Sequence, residues 1–352
     1  MSIIVPSYAY TYIKISFLKQ ILIDEETKLR LNEATKIDEF IDLIRPFYPG
    51  LSLKEYTIEE IENALTDIYI KIIGKIIEYS PQKLRNFLRD FLLKYEIGNI
   101  KNFIHGSILG LSAREKKQRV NFTVEKYLEN VEFFNELIPI GSLDEIQLKF
   151  KNTLYREAIR EGILYFKNNN ETFVLDAFLD QLYYNNLIEG TKDYKESNKR
   201  IIEFYIKSMA EIYNLNMIYR GIKNDIDKKL LKQFLVDAYL IFTKEDLLKL
   251  LELSDVNDFI LELKDYFNSS EEMKHSYKMV GLNEEHLHWS LKGLYQKYFF
   301  EKFEQKLEKI DYNTVYMILE IIMKKEKEIH FTVLPSIIKI IHQKYYLLEN
   351  RE

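Results

Sequence analysis

The sequence predicts an all-α protein. Among 352 residues there are only 11 Gly and 6 Pro. These two residues mark turns and chain breaks, so their scarcity indicates long uninterrupted elements. Leu, Ile, Lys and Glu are abundant, which favours helix over strand. Apolar residues make up 47% of the chain and charged residues 30%, as in globular proteins that bury a large core.

Hydrophobic spacing supports this fold class along the chain. Residues 35–44 place apolar side chains at a period near 3.6. A long helix is predicted from residue 58, because Thr57 and Glu60 have the spacing of a capping box. Another is predicted after it, with Ser80 as N-cap and Pro81 as the first helical residue. Further helical patterns occupy residues 171–189, 191–210, 254–267, 283–310 and 312–349.

Composition also argues against several classes of function and site. The net charge of −5 argues against a dedicated nucleic-acid binder, which usually carries a basic excess. The absence of Cys excludes disulfides, thiolate metal sites and a Cys nucleophile. We expect no signal peptide at the N-terminus. We also expect no transmembrane segment, because apolar runs such as residues 69–79 contain Lys and are shorter than a spanning helix.

A short motif recurs at nearly equal intervals. Residues 96–106 (EIGNIKNFIHG) and 211–221 (EIYNLNMIYRG) share a Glu-Ile pair, an Asn and a closing Gly. A third Glu-Ile pair begins at Glu328, where Phe331 takes the place of the Asn. The intervals between the three Glu residues are 115 and 117 residues. This spacing predicts three helical units, at approximately residues 1–120, 121–235 and 236–352.

The Glu and Asn of the motif share a helix face. Glu96 and Asn99 are three residues apart, as are Glu211 and Asn214, and each pair borders an apolar stripe. Such a pair can hydrogen-bond to a neighbouring element and fix its register, or it can contact a partner protein. We expect the structural role, because internal repeats usually mark the packing unit. An exposed fraction above about a third at either Asn would contradict it.

Two charged segments are candidate surfaces. The basic segment 112–119 contains Arg114, Lys116, Lys117 and Arg119, offset by Glu115. It could contact acidic loops or lipid headgroups, although a solvated helix face is the simpler interpretation. Residues 324–328 (KKEKE) alternate in charge and predict an exposed surface with salt bridges.

The sequence predicts no catalytic, cofactor-binding or metal-binding residue. His286 and His288 are two residues apart and would point to different sides of a helix, unlike the two His of HExxH. Neither the phosphate-binding pattern GxxxxGK[ST] nor the hydrolase pattern GxSxG occurs. The carboxylates follow no pattern.

The order of these motifs resembles the C subunit family of the V/A-type rotary ATPases (ATP synthases), whose eukaryotic counterpart is the d subunit. The repeated segment of that family is similar to residues 96–100 with His105 in the basic position, and to residues 211–215 with Arg220 there. Residues 178–188 and 325–329 are also similar to family segments. His105 departs from the usual Arg, and the third unit lacks the Asn.

The resemblance implies a funnel of three pseudo-threefold-related helical units around a central cavity. It implies a non-catalytic part of the central stalk at the cytoplasmic face of a membrane, between the rotor shaft and the membrane ring. Torque would then pass between ATP turnover and proton or sodium transport. Two alternatives stay open, namely a helical-repeat scaffold that binds other proteins and an all-helical enzyme with an unrecognised site.

Overall fold

The computed structural model describes residues 8–54, 56–194, 196–304 and 310–349, and every regular element within these ranges is a helix. The predicted all-α class is therefore confirmed. The chain divides into two units, one from the described parts of residues 1–88 and 307–352, the other from those of 89–306. The described helices include none that is both long and apolar enough to cross a membrane.

The first unit brings early and late parts of the sequence together. Its N-terminal helix packs on α4 (Ile58–Tyr79) and α18 (Ile310–Glu328), and α4 also packs on α19 (Leu334–Glu349). A π-helical turn at Ile329–Val333 lies between the last two helices. The helices of this unit are α1 (Ala9–Leu18), α2 (Glu25–Glu33), α3 (Ile37–Ile44), α4 (Ile58–Tyr79), the first turns of α5 (Gln82–Ile108), α18 (Ile310–Glu328) and α19 (Leu334–Glu349).

Of the two helix caps predicted at the ends of α4, one is confirmed and one is wrong. Thr57 caps the helix, because its hydroxyl accepts a hydrogen bond from the Glu60 N–H at 3.2 Å. The Glu60 carboxylate accepts from the Lys54 N–H at 2.6 Å. Ser80 does not cap α5 as predicted. Its hydroxyl donates to the Ile76 carbonyl at 2.6 Å, so its side chain belongs to the end of α4.

The second unit is arranged around α12 (Glu196–Lys223). This helix packs against α11 (Phe173–Gly190), α13 (Lys228–Phe234), α14 (Lys244–Glu252), α15 (Val256–Ser269) and α17 (Leu287–Phe303). Its buried residues include the consecutive pairs Ile201–Ile202 and Phe204–Tyr205, so it is apolar on more than one side, as a central helix must be. The helices of this unit are the rest of α5, α6 (Ala113–Gln118), α7 (Phe122–Leu128), α8 (Val131–Leu137), α9 (Leu143–Lys149), α10 (Arg156–Asn169), α11 (Phe173–Gly190), α12 (Glu196–Lys223), α13 (Lys228–Phe234), α14 (Lys244–Glu252), α15 (Val256–Ser269), α16 (Lys274–Val280) and α17 (Leu287–Phe303).

The α10–α11 hairpin depends on a glycine. At Gly162 the two helices approach so closely that a Cβ atom would lie 2.6 Å from the Leu175 Cα. The obstructing atom belongs to the backbone, so it cannot move away as the end of a side chain could. Glycine is therefore required for this crossing.

We expect Gly162→Ala to lower the free energy of unfolding by about 2–3 kcal/mol, because the new methyl group overpacks a helix crossing. The matched control is Gly98→Ala in α5, where a Cβ atom would meet no atom within 4 Å. That change should be neutral or stabilise by up to about 1 kcal/mol through helix propensity. Urea unfolding measures both, and equal midpoints for the two variants would contradict the account of the crossing.

Candidate functional site

The three motif glutamates are buried inside the protein. Glu96, Glu211 and Glu328 are 2%, 0% and 7% exposed. A buried carboxylate is costly unless hydrogen-bond donors surround it. Each of the three finds at least one donor in a segment far away in the sequence, Glu328 within the first unit and Glu96 and Glu211 within the second, and each set of contacts is a candidate site in its own unit.

Glu96 connects α5 to the starts of two other helices. Its carboxylate accepts hydrogen bonds from the Tyr155 hydroxyl and from the Asn130 side-chain amide. Asn130 directly precedes α8 and Tyr155 directly precedes α10. Burial raises the pKa of Glu96, and the two hydrogen bonds partly oppose this. The carboxylate therefore fixes the ends of α8 and α10 on α5.

Glu211 binds a stretch of non-helical backbone. Its Oε1 accepts from three consecutive N–H groups, those of Leu240, Ile241 and Phe242, at 3.1, 3.0 and 2.8 Å. Its Oε2 accepts from the Tyr295 hydroxyl at 2.6 Å. Burial raises the pKa of Glu211 against these bonds. The carboxylate thus satisfies the N–H groups that lead into α14 and ties them to α12 and α17.

Glu328 forms a buried cluster in the first unit. Its Oε1 accepts from the Ile23 N–H at 2.9 Å, and its Oε2 accepts from the Lys325 ammonium at 2.9 Å. The ammonium also donates to the Ile21 carbonyl at 2.7 Å and lies 3.6 Å from the centroid of the Tyr48 ring. Burial lowers the pKa of Lys325 to about 8.

The predicted exposed surface at residues 324–328 is therefore wrong for Lys325 and Glu328. Lys324 and Lys327 are exposed as expected, and the ammonium of Lys324 pairs with Glu320 at 2.7 Å. The two buried residues lie on the inner side of α18, where the segment around Ile23 covers them and supplies a backbone donor and a backbone acceptor.

The two motif asparagines make the same contact. Asn99 accepts from the Asn121 N–H at 2.8 Å and donates to its carbonyl at 3.0 Å. Asn214 accepts from the Val236 N–H at 2.8 Å and donates to its carbonyl at 2.9 Å. Each Asn thus pairs with both backbone groups of the residue 22 positions later. Asn99 and Asn214 are 3% and 0% exposed, well below the level that would contradict a structural role.

The third motif copy has a different contact at this position. Phe331 replaces the Asn, lies in the π-helical turn and is 43% exposed. A phenyl ring cannot pair with both backbone groups, so the third copy retains only the Glu contact.

The closing glycines also occupy matching positions. A Cβ at Gly106 would lie 3.0 Å from the Lys116 Cγ, and a Cβ at Gly221 would lie 2.1 Å from a Leu231 methyl group. Each Gly therefore faces the side chain ten residues later. Lys116 takes the place that Leu231 has in the second copy.

Lys116 is consequently not part of an exposed basic surface, and that prediction is wrong. It is 2% exposed, and its ammonium donates to the Ile140 carbonyl at 2.6 Å and lies over the Phe103 ring. Its aliphatic stem packs as a leucine would, while its charge is held by a carbonyl. The other basic residues of this segment, Arg114, Lys117 and Arg119, are exposed.

The basic positions of the two motifs differ in their surroundings. His105 is half-buried, and its Nε2 lies 3.2 Å from the Asp176 Oδ1 of α11. Arg220 is exposed near the end of α12. The structure therefore gives His105 a contact with another helix, whereas Arg220 faces solvent.

Glu125 is a member of the site that the sequence did not indicate. It is fully buried, and its Oε1 accepts from the Asn99 amide. Its Oε2 has no hydrogen-bond partner within the described part of the chain. Burial, and then the Glu96 carboxylate, raise the pKa of Glu125 to about 8. The position 115 residues later is Leu240, so comparison of the two copies gives no hint of an acid here.

Replacing Asn214 should weaken the fold. Asn214→Ala leaves the buried N–H and carbonyl of Val236 without their partner, so we expect the free energy of unfolding to fall by about 2–4 kcal/mol. Asn224→Ala is the control, because the Asn224 amide is exposed and donates only to a carbonyl of the preceding helix. Urea unfolding of both variants tests this, and similar losses would argue against the Asn214 contact.

Glu125 should make stability depend on pH. Its pKa rises from 4.5 to about 8 on folding, so between these values the folded state keeps a proton that the unfolded chain releases. Stability is therefore lost as pH rises through this window. Glu125→Gln keeps the acceptor for Asn99 and removes the titration.

Relative to wild type, Glu125→Gln should accordingly become more stable from pH 5 to pH 8, by on the order of a few kcal/mol in the free energy of unfolding. Its thermal midpoint should rise relative to that of wild type over the same range. Thermal unfolding across this range measures it. The exposed Glu132→Gln is the control and should follow wild type. A difference that stays constant with pH would mean that Glu125 is ionised in the folded protein.

Most of the chain matches one known protein family. Residues 14–338 match the family model described as ATP synthase (C/AC39) subunit. The C subunit of the A-type ATP synthase of Pyrococcus furiosus is 25% identical over 232 residues, which cover 65% of this chain and 60% of that protein. The protein of the same name from Methanothermobacter thermautotrophicus is 24% identical over 265 residues, covering 74% of this chain and 66% of the relative.

The matched regions thus span about three fifths to two thirds of the length of these two relatives. The family model, however, covers nearly all of the present chain. The chain belongs to the C/AC39 subunit family of the V/A-type ATP synthases, a family of non-catalytic subunits.

Proposed function

We propose that this chain is the central-stalk subunit that joins the rotor shaft of a V/A-type ATPase to its membrane ring. In this role it passes torque between ATP turnover and proton or sodium transport. The observation that carries the proposal is the family match over residues 14–338, together with relatives named as the C subunit of A-type ATP synthases.

The geometry supports a mechanical role. A part that transmits torque must resist twisting, so the joints between its helices must be stiff. Glu211 and Asn214, both fully buried, hold residues 236–242 through hydrogen bonds to backbone groups. Burial of the two side chains limits competition from water, and networks that are satisfied in this way rigidify a structure.

We also propose that three related units surround a central cavity. The contacts of Glu328 favour a third unit that includes the N-terminal segment. Glu328 contacts Ile23, and Tyr48 lies 25 residues later beside the same cluster. In the first copy Glu96 contacts Asn130 and Tyr155, which are also 25 residues apart. The third unit would then combine the end of the chain with residues near 19–48, a modification of the boundaries 1–120, 121–235 and 236–352.

The partners in this proposal are the shaft subunits and the membrane ring at the cytoplasmic face of the membrane, without nucleic acid. The exposed cations of α6 and its C-cap, Arg114, Lys117 and Arg119, are candidate contacts to acidic loops or lipid headgroups. Lys116 is excluded from this set by its burial.

Reconstitution tests the role directly. The ATPase complex is purified with and without this chain and placed in lipid vesicles. Without the chain we expect ATP hydrolysis by the catalytic head but no ATP-driven ion uptake, because the shaft and ring are not joined. Adding the chain should restore uptake.

Binding to the isolated shaft and ring subunits is measured alongside ion uptake. A chain that binds neither, and whose removal leaves ion uptake intact, would overturn the proposal. Stable binding to proteins outside the ATPase, with no effect on uptake, would favour the helical-repeat scaffold.

A further inference from the structure

A groove runs along the surface between α13 and α14. It consists of two concavities of about 490 and 220 Å³ that share Lys232 and Leu248. Leu248 and Leu251 line its floor together with the stems of lysines. The charged residues that line the two concavities are Lys228, Lys229, Lys232, Lys244, Lys249, Asp237, Glu245 and Glu252.

The groove is positive although the chain carries a net charge of −5. Within the described part of the chain, five lysines and three acidic residues line it. Lys244 pairs with Asp237 at 3.0 Å, and the Lys228 ammonium lies 3.8 Å from the Glu252 carboxylate. Lys229 and Lys232 are exposed and have no ion-pair partner within the described ranges. Two cations are therefore available to an incoming anion.

Packing of α13 does not account for these lysines. The helix buries Leu231 and Phe234, and Leu231 fills the space beside Gly221. Lys229 and Lys232 point away from this buried side. Lys232 lies in the last turn of α13, where a cation is favourable, but Lys229 does not, and two unpaired like charges on one exposed helix repel each other slightly.

The same exposed cations occur in the first copy of the motif. Arg114 and Lys117 of α6 precede Lys229 and Lys232 by 115 residues, the interval between Glu96 and Glu211. Both are exposed, like their counterparts. The basic pair thus lies at the same position of the repeat in both copies and is exposed in each. This supports a role of the surface in binding.

We propose that the α13–α14 groove binds an acidic segment of a partner polypeptide. Its carboxylates would pair with Lys229 and Lys232, and an apolar side chain between them would cover Leu248. An apolar floor favours a polypeptide over a free phosphate or nucleic-acid backbone, which has no apolar group to place there. Among the described residues that line the groove there is no arginine, the side chain best suited to phosphate. The proposal goes beyond the rotor role and does not depend on it.

Fluorescence anisotropy of the 352-residue chain tests this. The probe is a labelled helical peptide that repeats Glu-Glu-Leu-Ala, and the comparison peptide carries Lys in place of each Glu. We expect only the acidic peptide to bind, with an affinity that falls as salt concentration rises. Lys229→Glu combined with Lys232→Glu should weaken binding at least about tenfold, because attraction becomes repulsion.

The matched control combines Lys126→Glu with Lys151→Glu. These lysines are exposed in the same unit, line neither concavity and give the same change in net charge. This variant should bind the acidic peptide within about twofold of wild type. Thermal unfolding confirms that both variants are folded, as expected for exposed positions.

Three results would overturn the proposal: no binding of the acidic peptide to wild type, equal weakening by both double variants, or tighter binding of inorganic phosphate or a DNA oligonucleotide at the same lysines. A photoreactive leucine in the peptide locates the site independently. Cross-links should fall within residues 228–252, and cross-links confined to other segments would exclude the groove.

Discussion

The fold depends on buried side chains that satisfy non-helical backbone. A protein made of helices must connect them through residues whose N–H and carbonyl groups have no partner within a helix. When such a connection is buried, another group must supply the hydrogen bonds. Glu211 and Asn214 do this for residues 236–242, and Asn99 does it for Asn121, whereas Glu96 accepts from the side chains of Asn130 and Tyr155. The long helices can therefore pack closely, because their connections need no access to water.

Local patterns made the fold class and the motif predictable. Helical periodicity and the 115-residue interval are properties of neighbouring or repeated residues, and they placed Glu and Asn on one helix face correctly. Which charged residues are buried was not predictable. Lys325 and Lys116 resemble surface lysines until Ile21 and Ile140, 304 and 24 residues away, bring carbonyls to their ammonium groups. Glu125 has no counterpart in the second copy, so no comparison within the sequence could have indicated it.

The two similar motif copies differ at two buried positions. The first has Lys116 and Glu125 where the second has Leu231 and Leu240. Burial lowers the pKa of Lys116 and raises the pKa of Glu125 to about 8, whereas the matching positions of the second copy are apolar. One scaffold therefore accepts either ionisable or apolar side chains at these two positions, although the Asn contact is the same in both copies.

The bond between Ile23 and Glu328 has a consequence for biosynthesis. It joins residues 305 positions apart, and α1 packs on α18 within the same unit. While the ribosome is still translating, the early helices therefore lack the surface that covers them. The residues of the second unit leave the exit tunnel sooner, and we expect them to fold first, with the first unit forming only when synthesis is nearly complete. Protease sensitivity of stalled nascent chains would reveal this order.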